Sequence, residues 1–148
     1  MKATLVDTGP LAAFLNRRDK FHSWAVDRLA EARPPLLTCE AVLSEAAYLL
    51  RRSRGGDRLL RLLDEGLVRI DFRLNDEAAT VRSLMKKYSS LPMDLADACL
   101  VRMSELQPDP TLLTIDTEFR DIYRRHGRKV IPCVLPPDLK PRARKKRP

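Results

Sequence analysis

The chain has 148 residues, of which 44% are hydrophobic and 32% charged, a balance that predicts one globular domain able to bury its own core. Three cysteines without a Cys-x-x-Cys pair and two distant histidines argue against a disulfide framework and a zinc site, so carboxylates would have to carry most of any catalysis. No stretch approaches the roughly 20 apolar residues of a membrane span, and Asp7 comes too early for a signal peptide, which predicts a cytoplasmic protein.

Short apolar runs alternate with helical patterns along the chain. Strands are predicted at residues 3–6, 36–38, 67–70, 111–115 and, weakly, 130–131. Helices are predicted at residues 11–15, 21–32, 40–52, 57–65, 76–88 and 94–106, with a helical turn near residue 119 and a break at Gly55-Gly56. Strands that alternate with helices predict crossover connections and a mostly parallel sheet covered on both faces, an α/β fold.

The net charge of +8 is concentrated in the last ten residues, which hold six basic side chains and no acidic one. The rest of the chain is close to balance, with 22 basic and 20 acidic side chains. We therefore expect a domain over residues 1–135 and a basic, disordered tail over residues 136–148. Such a tail attracts phosphate polymers without reading their sequence, and it is equally suited to keeping a protein in solution.

Two aspartates directly follow predicted strands, Asp7 after residues 3–6 and Asp116 after residues 111–115. In open α/β sheets, ligands bind outside the carboxyl ends of the strands, where these side chains are expected to lie. Aspartate is also a good residue to cap a following helix, so capping is the alternative interpretation of either position taken alone.

Glu45 is predicted to face the core from the helix over residues 40–52. At about 100° per residue it shares a face with Val42 and Leu49, beside Ala46. A carboxylate on a buried stripe must pair with a cation or bind a metal, because burying a lone charge is costly. A salt bridge to one of the many arginines is the alternative interpretation.

Asp97 interrupts an otherwise apolar run, residues 95–101, which predicts a helix buried on almost all sides. Asp94, three residues earlier, has the spacing of a helix N-cap whose partner in a capping box is Asp97. Capping is the favoured interpretation of Asp94. For Asp97 a functional role is favoured, because so little else around it in the sequence is polar.

These four acids, Asp7, Glu45, Asp97 and Asp116, would repel one another if they converged in one partly buried pocket, and some of their pKa values would rise. A hard divalent cation with oxygen ligands would relieve the repulsion. Mg²⁺ typically uses one or two protein carboxylates together with waters and substrate phosphate. Such a site can activate water against a phosphodiester, so the sequence predicts a route to nucleic-acid cleavage that needs no histidine.

Four segments of the sequence resemble the acidic motifs of PIN domains, in the same order and with similar spacing. They are VDTGPL at residues 6–11, TCEAVLSE at 38–45, PMDLADA at 92–98 and TIDTEF at 114–119. The resemblance covers nearly the whole chain, to about Val134, and in size and layout it is closest to bacterial toxins of the VapC type.

This resemblance implies a PIN-like fold, with a central parallel sheet of four to five strands flanked by helices, and an endoribonuclease that depends on Mg²⁺ or Mn²⁺. Carried over by position, the acidic site consists of Asp7, Glu45, Asp97 and Asp116. Asp7 and Asp97 would bind the metal directly, and the other two acids would orient water or hold a second ion. Supporting contacts would come from Thr8, Asp94 and Thr114, although an ordinary helix-start or strand-end hydroxyl is the alternative for both threonines.

VapC-type toxins usually form homodimers and are inhibited by a small antitoxin protein. The resemblance therefore implies an RNA substrate, an antitoxin partner and no membrane. The main alternative is a non-catalytic RNA-binding or adaptor protein on the same scaffold, against which the intact set of four acids argues. A Mg²⁺-dependent phosphatase is a third hypothesis, but Asp7-Thr8-Gly9 lacks the Asp-x-Asp pattern of the aspartyl-phosphate enzymes.

Overall fold

Five parallel strands form the central sheet of the protein, and the computed structural model describes residues 2–141. The strands, in chain order, are β1 (Lys2–Val6), β2 (Leu36–Thr38), β3 (Val68–Ile70), β4 (Asp109–Leu113), β5 (Arg124–Arg125), β6 (Lys129–Val130) and β7 (Cys133–Val134). The sheet has the order β3-β2-β1-β4-β7, while β5 and β6 pair antiparallel as a separate hairpin. The predicted α/β fold with a parallel sheet of four to five strands is confirmed.

Helices connect the strands and flank the sheet. They are α1 (Thr8–Leu15), α2 (His22–Glu31), α3 (Glu40–Leu49), α4 (Gly55–Asp64), α5 (Leu74–Lys87), α6 (Leu95–Leu106) and α7 (Glu118–Asp121). As predicted, α6 is surrounded by the core, with residues 96–101 all buried. Over residues 2–141, no helix combines the length and the apolar character that a bilayer crossing requires. Most of the basic tail, residues 142–148, lies outside the described part of the chain.

The last strand of the sheet is not where the sequence pattern predicts it. Residues 130–131 were the expected strand, but Val130 belongs to the β5-β6 hairpin and Ile131 is buried outside any strand. The edge of the main sheet is β7, which pairs with the end of β4. Residues 130–131 and 133–134 are two short apolar runs with similar local strand preference. Pairing with β4 determines which of them joins the main sheet.

The register of the two central strands sets the position of the candidate site. β4 is also displaced from the predicted residues 111–115, because its pairing with β1 runs from Lys2 opposite Asp109 to Val6 opposite Leu113. In the sheet, β2 and then β3 lie on one side of β1, and β4 and then β7 lie on the other side. The carboxyl ends of β1 and β4 therefore meet at a point where the strand order reverses, which is where open α/β sheets bind ligands.

The glycine pair at residues 55–56 begins a helix, whereas the sequence predicted a break there. The backbone leaves the right-handed helical conformation one residue earlier, at Arg54, whose φ of 61° lies in the left-handed region. Gly55 then packs so closely on Leu50 that a Cβ would overlap the Leu50 Cβ and its carbonyl group. A Cβ on Gly56, in contrast, would meet no atom within 4 Å. The two adjacent glycines thus differ sharply in their surroundings.

This difference predicts opposite effects of two adjacent substitutions. Gly55→Ala is expected to lower the free energy of unfolding by about 1–3 kcal/mol, because the added methyl must displace backbone as well as a side chain. Gly56→Ala serves as the matched control and is expected to be neutral or to stabilise by up to about 1 kcal/mol, since alanine is the better helix residue. Urea unfolding of both variants measures this, and equal stability of the two would contradict the packing described at Gly55.

Candidate active site

Asp7 lies at the carboxyl end of the central strand β1 and caps helix α1. Its Oδ1 accepts a hydrogen bond from the Thr8 N–H at 2.7 Å, and its Oδ2 accepts one from the Thr114 hydroxyl at 2.8 Å. The residue is 7% exposed. The capping interpretation is therefore confirmed for Asp7. Capping uses only the Oδ1 of its carboxylate, while the Oδ2 is held by Thr114, just after β4.

Burial raises the pKa of Asp7 from its ordinary value of 3.8 to about 6. The negative charges of Asp116 and Glu45 act in the same direction, while the hydrogen bonds from Thr114 and Thr8 oppose the increase. The charged form of Asp7 is thus held at an energetic cost, which a nearby cation would relieve.

Thr114 and Asp116 extend from the end of β4 and complete this part of the site. Thr114 is fully buried, and its Oγ1 accepts a hydrogen bond from the Asp116 N–H at 3.0 Å while donating its proton to Asp7. The Asp116 Oδ1 in turn accepts from the Glu118 N–H at 3.0 Å, at the start of α7. Asp116 therefore supports the turn that leads into α7, but it is not the cap that the alternative interpretation predicted, because the N-cap of α7 is Thr117. Its side chain is half-buried.

Glu45 joins the same group of residues, but for a different reason than the sequence suggested. Its Oε2 accepts a hydrogen bond from the Thr8 hydroxyl at 3.0 Å. The prediction that Glu45 lies on a buried stripe is wrong, because both Glu45 and Leu49 are exposed and only Val42 and Ala46 of that face are buried. Periodicity identifies one side of α3 but does not tell how much of that side another element covers.

Asp94 and Asp97 form a reciprocal capping box at the start of α6. The Asp94 Oδ1 accepts from the Asp97 N–H at 2.8 Å, and the Asp97 Oδ2 accepts from the Asp94 N–H at 3.4 Å. The capping interpretation of Asp94 is confirmed. Asp97 also closes this box, although it is 6% exposed and lies among buried apolar neighbours.

The five carboxylates described above line one cleft of about 200 Å³, hereafter the acidic cleft, whereas Thr114 does not line it. Its lining consists of Asp7, Thr8, Gly9, Glu45, Asp94, Asp97, Ile115 and Asp116. A larger cleft of about 600 Å³ lies near the amino ends of β1 and β2, with Lys2, Arg33 and Arg69 beside Glu31 and Asp71. The acidic cleft is the better candidate despite its size, because it lies at the carboxyl ends of the strands and concentrates charge of one sign.

The donor atoms of the acidic cleft are all oxygens, which suits a hard cation such as Mg²⁺ or Mn²⁺. Among residues 2–141, however, no three histidine, cysteine, aspartate or glutamate side chains stand close enough together to enclose an ion. Mg²⁺ commonly keeps several waters and uses one or two protein carboxylates. The carboxylate oxygens that line the cleft fit a divalent cation of this kind.

Two buried polar residues behind the cleft were missed by the sequence reasoning. Glu118 is 5% exposed and accepts a hydrogen bond from the Tyr123 hydroxyl at 2.8 Å. That hydroxyl also lies 3.4 Å from the Asp97 Oδ2. Glu118 could have been found, because it sits two residues after Asp116 within the motif TIDTEF. Nothing local singles out Tyr123, which reaches the site only through tertiary packing.

A family model described as PIN domain matches residues 4–125, a range that includes the whole acidic cleft. The chain belongs to the PIN domain family. Its structure is similar to the crystal structure of VapC20 from Mycobacterium tuberculosis, a sarcin-ricin loop cleaving toxin, with a TM-score of 0.67. The two sequences are 20% identical, and the match covers 78% of this chain and 92% of the VapC20 chain. No curated protein matches the sequence.

The PIN-like fold implied by the four acidic motifs is thereby confirmed, and PIN domains are a family of nucleases. Each motif of this PIN domain contributes at least one carboxylate to the acidic cleft, from the residue after β1, from α3, from the start of α6 and from the segment after β4. Four separate parts of the chain therefore meet at one end of the sheet.

Proposed function

We propose that this PIN domain is an endoribonuclease that depends on Mg²⁺ or Mn²⁺ and hydrolyses RNA phosphodiester bonds. The observation that carries the proposal is the convergence of Asp7, Glu45, Asp97 and Asp116 on one cleft at the carboxyl ends of β1 and β4. Histidine is scarce in the chain, and no Cys-x-x-Cys pair is present, so carboxylate-held metal is the chemistry that the residues favour.

Within this proposal, Asp7 and Asp97 hold the metal ion, and Glu45 and Asp116 orient water or a second ion. A bound Mg²⁺ or Mn²⁺ would supply a Lewis acid that activates water and offsets charge on the phosphodiester. The hydrogen bonds from Thr8 and Thr114 fix both oxygens of Asp7, which orients its carboxylate before any ligand binds.

We further propose that the protein is the toxin of a toxin–antitoxin pair of the VapC type, acting as a homodimer in the cytoplasm and inhibited by a cognate antitoxin. The similarity of its fold to that of VapC20 supports this assignment. In this proposal residues 1–135 form the nuclease domain, and residues 136–148 add RNA affinity through phosphate contacts that do not depend on sequence.

Cleavage of a mixed RNA pool tests the proposed function, with Glu45→Gln as the informative variant. We expect cutting by the wild-type chain in Mg²⁺ or Mn²⁺ but not in EDTA, and a loss of about 10- to 100-fold in kcat/KM for Glu45→Gln. Glu40→Gln is the matched control, since Glu40 is exposed on the same helix and does not line the cleft.

Two outcomes would contradict the proposal. If the wild-type chain bound RNA but cut it under no metal condition, the alternative of a non-catalytic RNA-binding or adaptor protein would replace it. If Glu45→Gln and Glu40→Gln cut equally well, the acidic cleft would not be the site of the chemistry.

A further inference from the structure

Tyr123 joins two buried carboxylates that come from different elements. Its side chain is fully buried, and its hydroxyl lies 2.8 Å from the Glu118 Oε2 and 3.4 Å from the Asp97 Oδ2. The hydroxyl has one proton, so it donates to one carboxylate at a time, with Glu118 as the nearer acceptor and Asp97 as the more distant one. Glu118 does not line the acidic cleft, whereas Asp97 does. The contact therefore reaches the cleft from behind, through the protein interior.

The position of the Tyr123 hydroxyl is set by the packing of its ring. The ring makes edge contacts with Tyr88 and Phe119, with centroid distances of 5.1 and 5.2 Å. An aromatic ring enclosed in this way has little freedom to rotate, so the hydroxyl is a fixed point against which a carboxylate can be oriented.

Two contacts of the Asp97 carboxylate fall on the same oxygen. The Oδ2 faces the Asp94 N–H and the Tyr123 hydroxyl, each at 3.4 Å. Each contact is long, so neither alone would hold the carboxylate firmly. Together they approach from two elements and restrict its rotation. Carboxylates that bind metals are commonly held in this way by outer hydrogen-bonding partners.

We propose that Tyr123 and Glu118 are positioning residues that orient Asp97 for a divalent cation in the acidic cleft. Glu118 holds the Tyr123 hydroxyl, and the hydroxyl limits the orientations open to the Asp97 carboxylate. The inference rests on the proposed function, since it assigns a purpose to Asp97 as a metal ligand. The inference adds Tyr123 and Glu118 to the residues of the proposed site, although neither would contact the cation or the RNA.

Mn²⁺ binding by the full chain, measured by titration calorimetry, tests the inference without relying on activity. We expect Tyr123→Phe to weaken the Mn²⁺ Kd by about 10- to 100-fold. Tyr88→Phe is the matched control, because it removes a buried tyrosine hydroxyl one ring away that contacts no cleft residue, and its Kd should equal that of the wild type. In saturating Mn²⁺, Tyr123→Phe should lower kcat for RNA and leave KM unchanged, because the buried ring does not contact substrate.

The double variant Tyr123→Phe/Glu118→Gln separates positioning from stability. Tyr123→Phe leaves the buried Glu118 without its hydroxyl donor and is expected to lower Tm. Replacing Glu118 by glutamine removes that buried charge and should restore Tm, while Mn²⁺ binding stays weak. If Tyr123→Phe alone fails to fold, the double variant carries the same test.

The results that would overturn the inference differ from those that would overturn the proposed function. Recovery of Mn²⁺ binding together with Tm in the double variant, or unchanged binding in Tyr123→Phe, would mean that the network only stabilises the fold. A wild-type chain that binds no Mn²⁺ would overturn both proposals. A wild-type chain that binds Mn²⁺ and cuts RNA, with variants that do so equally, would overturn the inference alone.

Discussion

The Asp7→Asn variant is expected to cleave RNA at least about 1,000-fold more slowly than the wild type and, at the same time, to be more stable at pH 7. The loss of activity follows from removing the carboxylate at the centre of the acidic cleft, which the proposed mechanism uses as a metal ligand. The gain in stability follows from the burial of Asp7, which raises the pKa of its carboxyl group to about 6, so that the ionised form costs stability at pH 7. A residue kept at a cost to stability is expected where function requires it.

The direction of the stability effect can be derived from the pKa. The folded state binds the Asp7 proton more tightly than the unfolded chain, whose ordinary value is 3.8. The stabilisation from this proton is complete below pH 3.8 and is lost as the pH rises through about 6. At pH 7 the ionised group therefore destabilises the fold by roughly 3 kcal/mol at most, at about 1.4 kcal/mol per pKa unit.

Thermal unfolding in EDTA measures this effect. We expect Asp7→Asn to raise the free energy of unfolding at pH 7 by about 1–3 kcal/mol, with the advantage vanishing below about pH 4, where wild-type Asp7 is protonated. Asp109→Asn is the control, because Asp109 is exposed at the opposite, amino end of the neighbouring strand β4. An Asp7→Asn protein that is less stable at pH 7, or that retains cleavage, would show that Asp7 is a structural cap and no more.

The second large effect is expected from the divalent cation. EDTA should abolish RNA cleavage, and added Mg²⁺ or Mn²⁺ should restore it. The apparent Mn²⁺ affinity should be nearly constant above pH 7 and fall by about tenfold for each pH unit below 6, because the cation must displace the proton on Asp7. Calorimetric titrations between pH 5 and about pH 8 measure this dependence.

The same cation should also change the stability of the protein. If Mn²⁺ binds the folded state as proposed, it is expected to raise Tm of the wild type, by a free energy that grows with its concentration relative to Kd. Asp7→Asn should show little of this increase, since it lacks the charge that the ion relieves. Full cleavage in EDTA, or a Tm increase of equal size in both proteins, would exclude the acidic cleft as the metal site.

Local sequence signals were sufficient for most of the fold. Strand and helix alternation predicted a parallel α/β sheet, and Asp94 was correctly interpreted as a helix cap from its spacing to Asp97. Asp7 and Asp116 were found as acids that follow strands. These features depend on neighbours within a few residues, so the sequence alone contains them.

Features that depend on contacts between distant segments required the tertiary structure. Glu45 was placed on a buried stripe, yet it is exposed and reaches the cleft through Thr8, 37 residues away in sequence. The edge strand β7 was chosen by its pairing with β4 rather than by its composition. Periodicity determines which side chains share a face, but what covers that face depends on the packing of the whole chain.

The sequence by itself therefore determined the α/β class, the order of elements as far as α7 and the acids near the strand ends, because each is encoded by short-range pattern. The tertiary structure alone decided that four motifs meet in one cleft, that Asp7 is buried enough to raise its pKa, and that Tyr123 and Glu118 stand behind Asp97. Burial and charge proximity arise only when remote parts of the chain come together, and these two quantities control the chemistry of a carboxylate.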